Sequence, residues 1–344
     1  MHHNPKKSLE AEDLLIWFIV ASNPFHKAAY WQLIAPMYEE ILQILEEKLG
    51  PEHLDVAIVL GRLSLLYRYM GAYDKALPLF QRTLNIRKKI LGPEHLDVAN
   101  TLNSLAGLYE NMGAYRKALP LYQRSLNIRK KVLGPEHPHV AETLDNLAGL
   151  YEKMGAYRKA LPLHQRALDI YEKALGPEHP DVATTLDNLA VLYSLMKDYD
   201  KAIPLHQRAL DIYEKVLGPE HPDVATTLSN LALTYKRMRA YDKALPLNQR
   251  ALGICEKVLG PEHPHVATTL NNLALLYKSM ESYDKALPLL QRAFDIREKV
   301  LGPEHPDVAV TRYNLLLLYS YTGAYDKALS FYQKTGKSYN YPKK

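Results

Sequence analysis

The chain has 344 residues, 47% of them apolar and 24% charged, with a formal net charge of +5 and one cysteine, Cys255. That composition is ordinary for a folded globular protein, and so small a charge, dispersed along so long a chain, excludes nucleic-acid binding as its main purpose. A single cysteine excludes an internal disulfide framework and a cysteine-rich metal site, and fits a reducing, cytoplasmic setting.

The first segment, residues 1–50, reads as a helical cap carrying a degenerate repeat. Its apolar run, Leu14 to Ala21, follows the acidic stretch Glu10-Ala11-Glu12-Asp13, whereas a secretory signal places positive charge there. Eight apolar residues are also far short of a membrane span. Leu14, Leu15, Ile16, Trp17, Phe18 and Ile19 exceed what one helix needs. They are expected either to cover the first hairpin or to mediate self-association, since terminal repeats usually keep a polar outer face.

From residue 51 to 334 the chain repeats. Leu-Gly-Pro-Glu-His starts at Leu49, Leu91, Leu133, Leu175, Leu217, Leu259 and Leu301, every interval being 42 residues. Residues 137–178 and 179–220 agree at 32 of 42 positions. A fixed period of this size predicts a solenoid. Each unit reads as two helices of about 17 residues, each roughly 25 Å long. The first opens at a His-Pro or His-Leu step and carries an apolar face, such as Val266, Leu270, Leu273, Ala274 and Tyr277. The second follows a short Met-Gly-Ala-Tyr turn and stops at Gly-Pro. A proline recurs in it (Pro78, Pro120, Pro162, Pro204, Pro246, Pro288), with Pro36 in the same register. It is expected about four residues in, near the end of the first turn, where at most one backbone bond is lost. A polar tail, 335–344, closes the chain.

Leu144, Leu147, Ala148, Tyr151, Gly155, Tyr157, Ala160 and Ala167 together resemble the tetratricopeptide repeat, whose usual period is 34 residues. The longer unit, with Leu270-Asn271-Asn272-Leu273-Ala274, the in-helix proline and the Leu-Gly-Pro-x-His-Pro junction, is similar to the kinesin light chain repeat. The resemblance implies an all-α, right-handed α-solenoid of about seven hairpins whose first helices line a concave groove. It also implies an adaptor that grips an extended peptide of a protein partner. The alternative is a scaffold associated with a cytoskeletal filament, working through the convex surface or the ends.

On the first helices one column runs Arg62, Ser104, Asn146, Asn188, Asn230, Asn272 and Asn314. An asparagine amide both donates and accepts, so a ladder of them can pair with an extended peptide backbone. This is the position at which the resemblance places peptide contacts; the other reading is that each asparagine bridges neighbouring hairpins. Nearby charges change sign along the array. Glu110, Glu142, Asp145, Glu152 and Asp187 lie early, Lys236, Arg237 and Lys278 late, which is either a polarised channel or a solvated face. Gly107 and Gly149 are expected to widen the early groove, and Val191, Leu195, Leu233, Leu275, Leu317, Tyr313 and Tyr321 either to offer apolar pockets later or to pack between successive hairpins, the second reading being strong for Leu233 and Leu275.

The seven junction histidines, His53 to His305, are too far apart for one metal ion and fit helix capping. Arg87-Lys88-Lys89 and Arg129-Lys130-Lys131, with Arg82 and Arg124, complement helix C-termini or form a basic outer patch. Nothing resembles a phosphate loop, a nucleophile elbow or a His-Glu-x-x-His motif. The sequence therefore predicts a binding protein without catalytic residues, metal or cofactor.

Overall fold

A computed structural model describes residues 31–335, which form fifteen helices and no strand. Helix α1 (Trp31–Leu49) precedes seven hairpins. Their first helices are α2 (Leu54–Tyr69), α4 (Leu96–Asn111), α6 (Pro138–Lys153), α8 (Pro180–Leu195), α10 (Pro222–Arg237), α12 (Pro264–Ser279) and α14 (Pro306–Tyr321). The second helices are α3 (Tyr73–Leu91), α5 (Tyr115–Leu133), α7 (Tyr157–Leu175), α9 (Tyr199–Leu217), α11 (Tyr241–Leu259), α13 (Tyr283–Leu301) and the short α15 (Tyr325–Thr335). The apolar run at Leu14 and the polar tail lie outside the described residues, apart from Thr335.

Each junction histidine is an N-cap. Its Nδ1 accepts the amide proton of the residue two positions on, as at His95 and His305, both 3.1 Å. That bond satisfies one of the amides a helix start leaves unpaired. The glycine closing each second helix, such as Gly92 at φ +87°, takes a conformation that side chains rarely adopt. Second helices begin at the tyrosine, so the recurrent proline is their sixth residue rather than their fourth, and Pro78 denies a bond to the Asp74 carbonyl. Pro36 holds the same sixth place in α1, which makes α1 the second helix of a degenerate unit.

Val98, Ala99, Leu105 and Ala106 of α4, with Ala118, Tyr122 and Ile128 of α5, are buried, and the same columns are buried in each inner hairpin. One continuous core runs from Ala106 to Ile296. Successive first helices touch each other more closely than successive second helices do, so the array curves with the first helices on its inner side.

The outer face is charge-paired. Arg208, Arg250 and Arg292 reach Glu172, Glu214 and Glu256 at 2.5–2.7 Å, and Lys215, Lys257 and Lys299 reach Glu178, Glu220 and Glu262 at 2.5–2.8 Å. Exposed pairs of this kind contribute about 0–1 kcal/mol each. The two basic clusters join the same scheme. Arg82 pairs with Glu46, Lys89 with Glu52, and Arg124 and Lys131 with Glu94. Arg129 is buried and donates to the His139 carbonyl at 2.7 Å and to Thr143 at 2.8 Å. Arg82, Lys89, Arg124, Arg129 and Lys131 therefore help to stack hairpins, while Lys88 and Lys130 stay exposed.

Candidate binding groove on the first helices

The inner face follows a diagonal rule. A side chain on one first helix meets the side chain 43 residues earlier, one position out of register on the preceding hairpin. Asn146 donates to Asn103 at 3.4 Å, Asn230 to Asp187 at 2.7 Å and Asn314 to Asn271 at 2.9 Å. Two turns further on, Lys153 pairs with Glu110 at 2.7 Å and Arg237 donates to Ser194 at 2.9 Å. Three asparagines of the ladder thus bridge hairpins. Asn188 and Asn272 make no side-chain hydrogen bond to a described residue and are half-buried.

A cavity of about 390 Å³ opens between the first helices of hairpins one to four, and Asn146 and Asn188 lie on its wall. Five carboxylates line it (Glu110, Glu142, Asp145, Glu152, Asp181) against two cations, Arg68 and His164. A Cβ at Gly149 would meet nothing within 4 Å, so that glycine does leave room. Gly107 does not, because the Arg68 guanidinium fills the space, with Nη1 2.9 Å from where its Cβ would stand.

The centre of the acidic zone is His164, 1% exposed, on α7. Its Nδ1 lies 2.6 Å from Asp145 Oδ1 and its Nε2 lies 2.8 Å from Glu152 Oε1. With carboxylates at both nitrogens, both must donate, which requires the imidazolium. Burial alone would push its pKa down, but the hydrogen bonds and charges of Asp145 and Glu152 overcome it and raise it to about 9. The other Asp145 oxygen accepts from Thr185 at 2.8 Å. One hairpin on, the fully buried His206 holds Asp187 at 2.6 Å and meets Thr234 at 3.1 Å. Asp145 and Asp187, expected on the groove lining, are therefore each held by one oxygen within their own hairpin and joined by the other to the next hairpin.

His164 and His206 share a column with Phe80, Tyr122, Asn248 and Leu290, and it escapes the sequence reading because it lies on the second helices. The signal was present: the residue two after each recurrent proline changes type between units that are otherwise near copies. Tyr122 donates to Glu110 at 2.9 Å, and burial followed by that carboxylate raises its pKa. Asn248 leaves its buried Oδ1 without a partner among the described residues.

The later groove is basic. Lys236 is half-buried, and burial, then the Lys278 and Arg237 charges, lower its pKa. Burial also lowers that of Arg237. Lys278 lies 4.7 Å from the Tyr321 ring centroid, and Tyr321 stacks on Tyr283 at 5.9 Å. None of the three cations has a carboxylate partner among the described residues. Leu233 is 39% exposed beside them, and Tyr313 and Tyr321 are exposed on the last hairpin.

Seven overlapping windows, 31–89, 55–131, 97–173, 146–215, 181–257, 225–299 and 265–335, match the model of the tetratricopeptide repeat. The chain belongs to the tetratricopeptide repeat family. Among solved structures it is similar to BtubC (BKLC) from P. vanneervenii, with 25% identity over 68% of this chain and 92% of that one, at a TM-score of 0.51. The apo form of RapI is similar at 17% identity, 82% and 96% coverage and a TM-score of 0.58. A signal transduction ATPase with a tetratricopeptide repeat sensor from Pyrococcus horikoshii shows 16% identity, 88% and 44% coverage and a TM-score of 0.55. These last two share the fold alone. Among curated proteins nothing matches. With its 42-residue units, this is a tetratricopeptide-repeat protein of the kinesin light chain type. The tetratricopeptide fold is a protein-interaction scaffold. Among the described residues no helix is long and apolar enough to cross a membrane.

Proposed function

We propose that this chain is a protein-interaction adaptor that holds an extended peptide segment of a partner in the concave groove. The observation that supports this most is the contrast between the two faces. Convex charges are paired from hairpin to hairpin, and the early groove carboxylates are paired too, Glu110 with Lys153, and Asp145 and Glu152 with His164, whereas Lys236, Arg237 and Lys278 late in the groove have no carboxylate partner among the described residues. Polar groups held without partners on a concave surface suit a ligand that supplies them. Within the groove, Asn188 and Asn272 are the peptide-facing amides. Asn146, Asn230 and Asn314, with Asp145 and Asp187, fix the spacing of the first helices. Lys236, Arg237 and Lys278 meet the acidic part of the segment. The filament-associated alternative, working through the convex surface or the ends, has less support, since Arg82, Arg124 and Arg129 are engaged with neighbouring hairpins.

The test is the double variant Asn188→Ala, Asn272→Ala. Two lost amide hydrogen bonds correspond to roughly tenfold to hundredfold weaker partner binding. The far-ultraviolet circular dichroism should stay unchanged, because neither side chain supports the fold. Unaltered affinity removes the asparagine ladder from the binding site. Salt-sensitive co-sedimentation with a polymer that survives both changes would favour the filament reading.

A further inference from the structure

Gly71, in the turn of the first hairpin, and His305, the cap of the seventh, are far apart in sequence yet adjacent in space. A Cβ at Gly71 would stand 2.4 Å from His305 Cδ2 and 2.8 Å from Nε2. The neighbouring groups agree: Tyr73, beside Gly71, feels the Asp307 carboxylate, beside His305. No other glycine turn of this kind among the described residues has such a neighbour. Gly113, Gly155 and Gly323 adopt the same backbone, with φ of +70 to +71°, and meet nothing within 4 Å. Nor does the turn itself demand glycine. Lys197, Arg239 and Glu281 take the equivalent position at φ of 60 to 66° with full side chains. At position 71 any side chain would have to displace the imidazole ring lying against it.

A solenoid is held by contacts between neighbouring repeats, and this contact skips five hairpins. The array has come round through one superhelical turn, and its first and last hairpins meet. We propose that the Gly71–His305 contact is a latch that closes the superhelical turn and fixes the curvature of the concave face. A single small contact is weak beside the hairpin interfaces, so it can open without unfolding any hairpin, which is the property of a two-state element. Closed, the concave face is a channel that an extended chain enters end-on; open, it is a trough that takes a segment from the side. That consequence rests on the groove being the binding site, whereas the latch itself does not.

The repeats provide matched controls. In a Cys255→Ser background, spin labels at Asp74→Cys and Glu304→Cys, both exposed positions flanking the contact, report the gap between the two hairpins in the free protein. A short, narrow distance distribution is expected. Gly71→Trp should move it to longer distances and broaden it, and should enlarge the radius of gyration of the unlabelled protein in X-ray scattering. Gly113→Trp introduces the same backbone strain into the second hairpin with nothing to strike, and should leave both readings unchanged. Should tryptophan unfold the first hairpin, as circular dichroism would show, Gly71→Ala makes the same test with one methyl group aimed at the ring. A long, broad distribution in the parent overturns the latch, and so does equal opening by the Gly113 variant. Because no ligand is used, failure here leaves the groove reading to its own test.

Discussion

Replacing His164 with leucine should destabilise the array by about 3–5 kcal/mol in urea unfolding, the usual effect of removing one partner from a buried ion pair. Leucine nearly matches the volume and suits the equivalent place at Leu290, which is fully buried. There, however, the two facing positions hold Asn271 and Lys278, whereas at His164 they hold Asp145 and Glu152. The variant leaves those carboxylates, 11% and 15% exposed, without their shared cation. Neutralising them as well, in Asp145→Asn, Glu152→Gln, His164→Leu, should recover most of the loss, since a complete apolar or neutral replacement removes the unpaired charge.

The same contact gives a pH signature. The folded pKa of His164, about 9, lies above the unfolded value of 6.5. Its contribution is therefore complete below about pH 6.5 and is lost as pH rises through 9. A displacement of that size corresponds to about 3 kcal/mol. The urea midpoint of the natural protein should fall between pH 7 and pH 10 more steeply than that of His164→Leu. Parallel pH profiles would show that the histidine is not held protonated.

The double charge reversal Lys236→Glu, Lys278→Glu should act on binding and not on the fold. Burial and the Lys278 and Arg237 charges already hold Lys236 below its ordinary pKa; the reversal keeps a like-charge pair at 236 and 278, turns the Arg237 contact attractive and gives up the Lys278–Tyr321 contact, so stability should change little. Binding of the peptide segment recovered with the array should weaken by about a hundredfold or more at low salt, since juxtaposed like charges cost several kcal/mol. The deficit should shrink as ionic strength rises. A loss of stability with unchanged binding would make these lysines structural.

The fold was legible because its signals are local and repeated. The Leu-Gly-Pro-Glu-His junction marks where one helix stops and the next starts, and the histidines cap as that spacing predicts. The proline was placed two residues too early because the second helix starts at Tyr73, with no capping side chain at Ala72 to mark the place. Asparagine and charge columns were visible too, but their partners were not. A period of 42 residues in sequence becomes an offset of 43 between touching side chains, because successive first helices pack one position out of register. That shift moved Asn146, Asn230 and Asn314 from free amides to bridges. Arg68 filling the space at Gly107 is the same kind of effect, a side chain of one hairpin occupying room in the next.

The most direct measurement of groove binding is site-specific photo-crosslinking to the retained partner. A photoreactive residue would replace Asn188 on the concave side, or the exposed Gln207 on the convex side. The groove account predicts that Asn188 captures one short continuous segment of the partner, identified by mass spectrometry, and that Gln207 captures none. Capture from Gln207, with none from Asn188, would contradict it.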